Sequence, residues 1–241
     1  MRARIAARRS DRLWLDGVTE AGEEAAMEDA SRSEGARLWA GAQALARARQ
    51  AVRGGEPSRV PPLLFLTDPE RTPRPWEIAA RMPPGSGVIH RGFGRPESLE
   101  EALRLRAVTH DRGMTLLIGL DVDLADAVKA DGVHLPERSL SAAYALSGRR
   151  PGWILTGAVH SVEAARAARD LDAILLSPIF PAGGTSAAKP ALGTDALRSA
   201  CSGSTPVLAL GGVTLEAMGS LGETGCGGVA AIDGIISAFV L

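Results

Sequence analysis

From Pro61 to the end of the chain, short apolar runs alternate with Ala-, Leu-, Arg- and Glu-rich stretches of helical period, a rhythm that few architectures tolerate. The candidate strands are Leu63–Leu66, Gly87–His90, Thr115–Ile118, Gly132–Leu135, Ile154–Ala158, Ala173–Leu176, Pro206–Ala209 and Gly228–Ile232. Helical candidates between them include Leu99–Thr109, Val122–Lys129, Leu140–Leu146, Val162–Ala168, Thr194–Ala200 and Leu215–Leu221. Strand–helix alternation argues for parallel βαβ units, because a parallel neighbour needs a long crossover. Eight such units in a 241-residue chain fit an α/β fold of the (β/α)8 TIM barrel type, which takes about 250 residues. An open doubly wound sheet is the structural rival, since counting repeats does not prove closure.

Residues 1–60 differ from the barrel-forming residues 61–241. They are rich in Ala, Arg, Glu and Ser, and Gly54-Gly55 with Pro57 closes the segment. Glu34 to Arg53 has helix-forming composition, with Leu38, Ala42 and Leu45 on one stripe. It reads as an N-terminal helical extension laid against the barrel or a partner, behind a disordered or mis-annotated leader for which Met27 is an alternative start. Two cysteines, Cys201 and Cys226, make no disulfide framework and no metal signature, which suits a reducing cytosol. No apolar run approaches the roughly 18 residues of a membrane span, and Arg8-Arg9 is not followed by an export-type apolar stretch. A net charge of −1 gives no reason to expect nucleic acid or an acidic membrane as partner. The expectation is a cytoplasmic protein that acts on small molecules.

In a barrel, chemistry sits where the loops after the strands converge. The first strand ends in Thr67-Asp68, the second in His90-Arg91 and the third in Gly119-Leu120-Asp121. The fourth carries His134, the fifth runs into His160-Ser161 and the sixth into Ser177-Pro178. Thr67, His90, His134 and Ser177 are therefore candidates for a substrate pocket. His134, ahead of Leu135-Pro136, reads more readily as a packed histidine. His160 reads equally as structural or functional: it precedes Ser161, a good helix cap, and a histidine held at that mouth can exchange protons near neutral pH. His90, His134 and His160 show no zinc-ligand spacing.

Gly211-Gly212 after the seventh strand and Gly234 after the eighth point to phosphate, because glycine lets backbone N–H groups approach phosphate oxygens at these two loops. The competing account is a pair of tight turns. Asp233 belongs to the same expected site, although a carboxylate repels phosphate unless it points away. The loop Pro181 to Pro190 is long and rich in small residues, as a lid would be, and carries Lys189, one of only two lysines in the chain.

Several of these segments, in order, resemble the thiamine-phosphate synthase/TenI family from about Pro62 to Val240. They are Val122-Asp123-Leu124-Ala125, Ala130-Asp131-Gly132-Val133-His134-Leu135, Ser177-Pro178-Ile179-Phe180-Pro181 and Pro206-Val207-Leu208-Ala209-Leu210-Gly211-Gly212-Val213. The resemblance implies a (β/α)8 barrel that joins a pyrimidine pyrophosphate to a thiazole phosphate and releases pyrophosphate with Mg2+. It implies a thiazole phosphate on Gly211, Gly212 and the start of the last helix, with Arg91 and Lys189 on pyrophosphate. Mg2+ would fall to Asp121 or Glu137. Arg91 matches the arginine of a Gln-x-Arg-x-Lys motif whose other partners are here Ile89 and Phe93. The family's Asn-Asp after the third strand becomes Gly119-Leu120, and its acidic residue after the fourth falls near Ser139. Ala158-Val159-His160-Ser161 looks more like the TenI branch, which leaves open a thiazole tautomerase that uses His160 and needs no metal. A non-catalytic thiazole- or thiamine-phosphate-binding module is the third reading. Barrels of this kind often form homodimers, although no motif here shows it.

Overall fold

Eight parallel strands close on themselves. They are β1 (Leu63–Leu66), β2 (Gly87–His90), β3 (Thr115–Gly119), β4 (Gly132–Leu135), β5 (Ile154–Val159), β6 (Ala173–Leu176), β7 (Val207–Leu210) and β8 (Val229–Ala231). Each pairs with the next, and β8 returns to β1 through Leu63↔Val229 and Phe65↔Ala231. This closed order in the computed structural model, which describes residues 34–54, 56–184 and 188–240, replaces the open-sheet rival with a TIM barrel.

Two buried apolar layers follow from closure. Leu64, Leu66, Ile89, Leu117, Leu175, Leu208 and Ala230 fill the barrel interior. Their alternates, among them Phe65, Val88, Leu116, Val133 and Leu176, face the helices. Because both faces are covered, most strands are buried from end to end, which is why they read as unbroken apolar runs.

The helices that cover the strands are α1 (residues 34–53), α2 (Pro75–Ala79), α3 (Ser98–Asp111), α4 (Val122–Ala127), α5 (Ala143–Arg149), α6 (Val162–Ala167), α7 (Gly193–Ala200) and α8 (Asp233–Phe239). Two expected helices change character. The residues after β4 begin as a 3-10 helix, Glu137–Ala142, before α5, and the stretch after β7 is a 3-10 helix, Glu216–Leu221. With that element and α8 both short, α1 completes the outer layer. Its Leu38, Ala42 and Leu45 are buried, Gly35 lies against Phe239 and Gly41 against Met218. Arg49 donates to Ser204 O (3.1 Å) and Arg53 to Cys201 O (2.6 Å), tying α1 to the end of α7 and the loop that leads into β7. The expected leader and its alternative start at Met27 lie outside the described residues. Among the described residues no helix is long and apolar enough to cross a membrane.

Candidate active site

Strand direction decides which residues meet at the mouth. Stepping two residues on from the interior positions Leu66 and Ile89 turns Asp68 and Arg91 inward. The same step from Leu117 gives Gly119, whose register partner is His134, whose partner in turn is Thr156. Arg91 is fixed within this set. Its backbone N–H donates to Thr67 Oγ1 (2.9 Å), its Nε–H to Thr67 O (2.7 Å) and an Nη2–H to Asp68 Oδ2 (3.4 Å). The Phe93 ring centroid lies 5.4 Å from its Cζ. Burial lowers the guanidinium pKa while Asp68 opposes the shift, and an arginine, whose ordinary value lies far above neutral pH, stays charged.

His134 is buried beside this cation with Nδ1 2.9 Å from Thr156 Oγ1. Burial, and then the charge of Arg91, push its pKa down to about 4, so the imidazole is neutral at neutral pH. His160 stands differently. It is exposed at the rim, and its Nδ1 lies 2.9 Å from the Ser177 carbonyl oxygen. A carbonyl only accepts, so Nδ1 carries a proton, which leaves Nε2 as the acceptor of the neutral tautomer. Glu137 Oε2 accepts the His160 backbone N–H (2.8 Å), and Ser161 Oγ caps α6 by accepting from Ala164 N (3.0 Å).

The opposite side of the mouth is shaped by backbone. Gly211 (φ 90) and Gly212 (φ 63) leave β7 in the left-handed region. A Cβ on Gly211 would lie 2.8 Å from Pro178 Cα, and one on Gly212 2.3 Å from the Pro181 carbonyl oxygen. On Gly234 it would lie 2.2 Å from Val213 O. The tight-turn account of these glycines therefore holds on geometry, and the same turns bring backbone to the rim without side chains in front of it. The first turn of α8, at Asp233 and Gly234, leaves N–H groups without intrahelical partners. Asp233 points its carboxylate at Arg71, whose Nη1 lies 3.1 and 3.0 Å from its two oxygens. Arg71 Nη2 also donates to Asp68 Oδ2 (3.0 Å).

Thus Asp68, Arg91 and His134 form one cluster, Ser177 and Glu137 hold His160, and Gly211, Gly212, Asp233 and Gly234 gather across the mouth. Two expected pocket residues face elsewhere. His90 continues the outward set of β2, with Nε2 3.2 Å from Ser98 Oγ of α3, and lies away from the mouth. Thr67 also falls on the outward alternation and serves as a brace for Arg91. Lys189 is exposed on the loop after β6, next to residues 185–187, which lie outside the described set.

Asp121 caps α4, its Oδ1 accepting from Leu124 N (2.9 Å), and follows Leu120, which sits at φ 65. With Glu137 Oε2 taken by His160, each carboxylate keeps one oxygen. Among the described residues no three Asp, Glu, His or Cys side chains gather as a metal centre. The donor set does not fit a closed protein site for Mg2+. It does fit an ion brought in on phosphate oxygens, which needs only one or two carboxylates. Arg71 and Thr156 are not among the residues that the sequence singles out. Thr156 could have been found from the register opposite His134, whereas Arg71 carries no local signal.

Comparison with known proteins agrees with this architecture. The thiamine monophosphate synthase family model matches residues 89–235. A thiamine-phosphate synthase of Archaeoglobus fulgidus is 32% identical over 180 residues, covering 72% of this chain and 85% of the relative. One from Methanoculleus marisnigri is 34% identical over 141 residues, covering 57% and 67%. The solved thiamine phosphate pyrophosphorylase of Pyrococcus furiosus superposes with a TM-score of 0.63 at 27% identity, covering 74% of this chain and 88% of its own. These relatives favour neither the tautomerase nor the binding-module reading.

Proposed function

Since the chain belongs to the thiamine monophosphate synthase family, we propose that it is a thiamine-phosphate synthase: it condenses hydroxymethylpyrimidine pyrophosphate with thiazole phosphate to give thiamine phosphate and pyrophosphate. The observation that carries this reading is Arg91, a charged guanidinium turned into the mouth and locked by Thr67 and Asp68, across from the glycine turns of β7 and β8. The pyrimidine's bond to pyrophosphate breaks, the leaving group takes the electron pair, and the thiazole nitrogen bonds to the vacated carbon. Negative charge grows on the pyrophosphate as it leaves, and a cation fixed in advance stabilises that charge without reorganising.

In this reading the glycine turns and the start of α8 hold the thiazole phosphate, Arg91 holds pyrophosphate, and Lys189 adds a mobile positive charge from the lid loop. Neutral His134, oriented by the buried Thr156, supplies a hydrogen bond to a heteroaromatic ring beside Arg91 without adding charge. The free oxygens of Asp121 and Glu137 would help hold Mg2+ carried on the pyrophosphate, and the ion would supply charge neutralisation at the leaving group. His160 Nε2 is placed to accept a hydrogen bond from substrate at the rim.

The test is single-turnover formation of thiamine phosphate from the two phosphorylated precursors, with Mg2+ and with EDTA. Magnesium-dependent product is expected. A folded protein that binds thiazole phosphate but makes no product in either condition overturns the reading.

A further inference from the structure

The phosphate side of the mouth already holds an anion of its own. Asp233, the first residue of α8, presents both carboxylate oxygens to Arg71 Nη1, at 3.1 and 3.0 Å. The two partners of Arg71 are unlike. Asp68 is mostly buried, with a side chain 17% exposed, and its Oδ1 also accepts the N–H groups of Glu70 and Arg71 (3.2 Å each). It is built into the turn after β1. Asp233 is 59% exposed, and Arg71 is its only side-chain partner among the described residues. An ion pair this exposed is weak, because water solvates both charges nearly as well.

Among the described residues, the loop that crosses the pair does so without a side chain. The loop after β6 crosses it at Gly183 and Gly184. A Cβ at Gly184 would lie 3.1 Å from Arg71 Cζ, and one at Gly183 would lie 3.5 Å from Asp233 Oδ2. Among the described residues, an incoming anion at the β7–β8 turns therefore meets the backbone of Gly183 and Gly184, and no side chain of this loop, beside the guanidinium. A phosphate competes well there, since planar bidentate pairing of arginine with phosphate is among the stronger charge-assisted contacts.

Resting on the phosphate reading of this rim, we infer that Arg71 is a phosphate ligand held in reserve by Asp233. The substrate phosphate takes over the guanidinium, Asp233 swings to solvent, and Asp68 keeps Arg71 in place. Asp233 acts as an internal competitor that sets how tightly phosphate is held. A product that carries the same phosphate is held no more tightly than the substrate, which keeps its release fast. Arg71 lies outside the span matched to the family and was joined to this site by the fold alone.

The experiment is calorimetric titration of the full chain with inorganic phosphate and with thiazole phosphate. It compares the parent protein with Asp233→Asn, Arg71→Gln, Arg71→Lys and the Asp233→Asn/Arg71→Gln pair. Asp233→Asn is expected to bind about tenfold tighter and Arg71→Gln about tenfold weaker, the size of one charged hydrogen bond. Arg71→Lys should fall between, keeping charge but losing the fork. The gain from Asp233→Asn should vanish in the Arg71→Gln background. A gain that persists there assigns the effect to relief of repulsion alone and overturns the inference, as does unchanged affinity in either single variant. The condensation reading fails separately, on absence of thiamine phosphate from the parent protein, even where phosphate affinity follows Arg71.

Discussion

The two sides of the barrel mouth are made of different material. Around β6, β7 and β8 the surface is backbone: Gly211, Gly212 and Gly234 hold turns so close to Pro178, Pro181 and Val213 that no side chain fits. Around β1 to β5 it is side chains engaged with one another, Arg91 with Thr67 and Asp68, His134 with Thr156, Glu137 with the His160 amide, Asp121 with its own helix. A backbone site survives wherever the turn survives, because every residue type brings an N–H except proline. A side-chain site can be rewired one substitution at a time. The resemblance read from the sequence implies that pattern: its phosphate loop falls on Gly211-Gly212, while its expected metal positions after β3 and β4 fall at Leu120 and near Ser139.

The sharpest way to break this contrast is to put a methyl group on the backbone side. Gly212→Ala meets both a left-handed φ of 63 and an oxygen 2.3 Å away. Strain and overpacking together should cost about 3 kcal/mol or more. Gly113, at φ 61 with nothing within 4 Å of a Cβ, is the control. Gly113→Ala should cost about 1 kcal/mol. Thermal or denaturant unfolding measures both. Equal costs would mean that the β7 turn is held by conformation and not by its contact with the β6 loop, and the contrast would lose its basis.

On the side-chain half the next largest effect is set by pH. His134 titrates near 4 in the fold against 6.5 when unperturbed. A histidine with a depressed folded pKa binds its proton more readily when unfolded, so stability is full above about 6.5 and falls as pH drops toward about 4. The loss over that window is roughly 3 kcal/mol. Asp68, held low by Arg71 hydrogen bonds that together outweigh its burial, loses its contribution only at lower pH, below the ordinary carboxylate value. Replacing His134 with Gln, which can still pair with Thr156, should flatten the stability curve between pH 6.5 and 4. An unchanged slope would show that His134 is solvated in the native state.

The fold was legible because its signal is local. Six of the eight strands begin at the residue where their apolar run begins, and β7 and β8 start one residue later, beyond Pro206 and Gly228. The helices α2 and α8, of five and seven residues, are too short to display a period, and Pro75 and Asp233-Gly234 read as loop. Side-chain direction was the hard part. A strand buried on both faces has no polar alternation to show which way it points. His90 therefore looked like Arg91, although one faces α3 and the other the mouth. Arg71 and Asp233 are 162 positions apart, and only barrel closure makes them neighbours. Glycine turns carry their meaning in the residue itself, so the backbone half of the site was readable, while the side-chain half waited on register.

The smallest effect separates two uses of one carboxylate. Asp121 accepts from Leu124 N as the cap of α4, a role that serine fills about as well and alanine does not. Asp121→Ser should leave the unfolding midpoint nearly unchanged, and Asp121→Ala should lose about 1 kcal/mol. If the free oxygen of Asp121 also meets Mg2+ on the pyrophosphate, both variants need more Mg2+ for half-maximal turnover, and to the same extent, because both lack the carboxylate. If Asp121 only caps, Mg2+ dependence stays at the parent value in the serine variant whatever the alanine variant does to stability. The first result makes the side-chain half a divergent metal site with one oxygen from each of two strands. The second leaves Mg2+ held by the substrate, with arginine supplying the protein's charge at the leaving group.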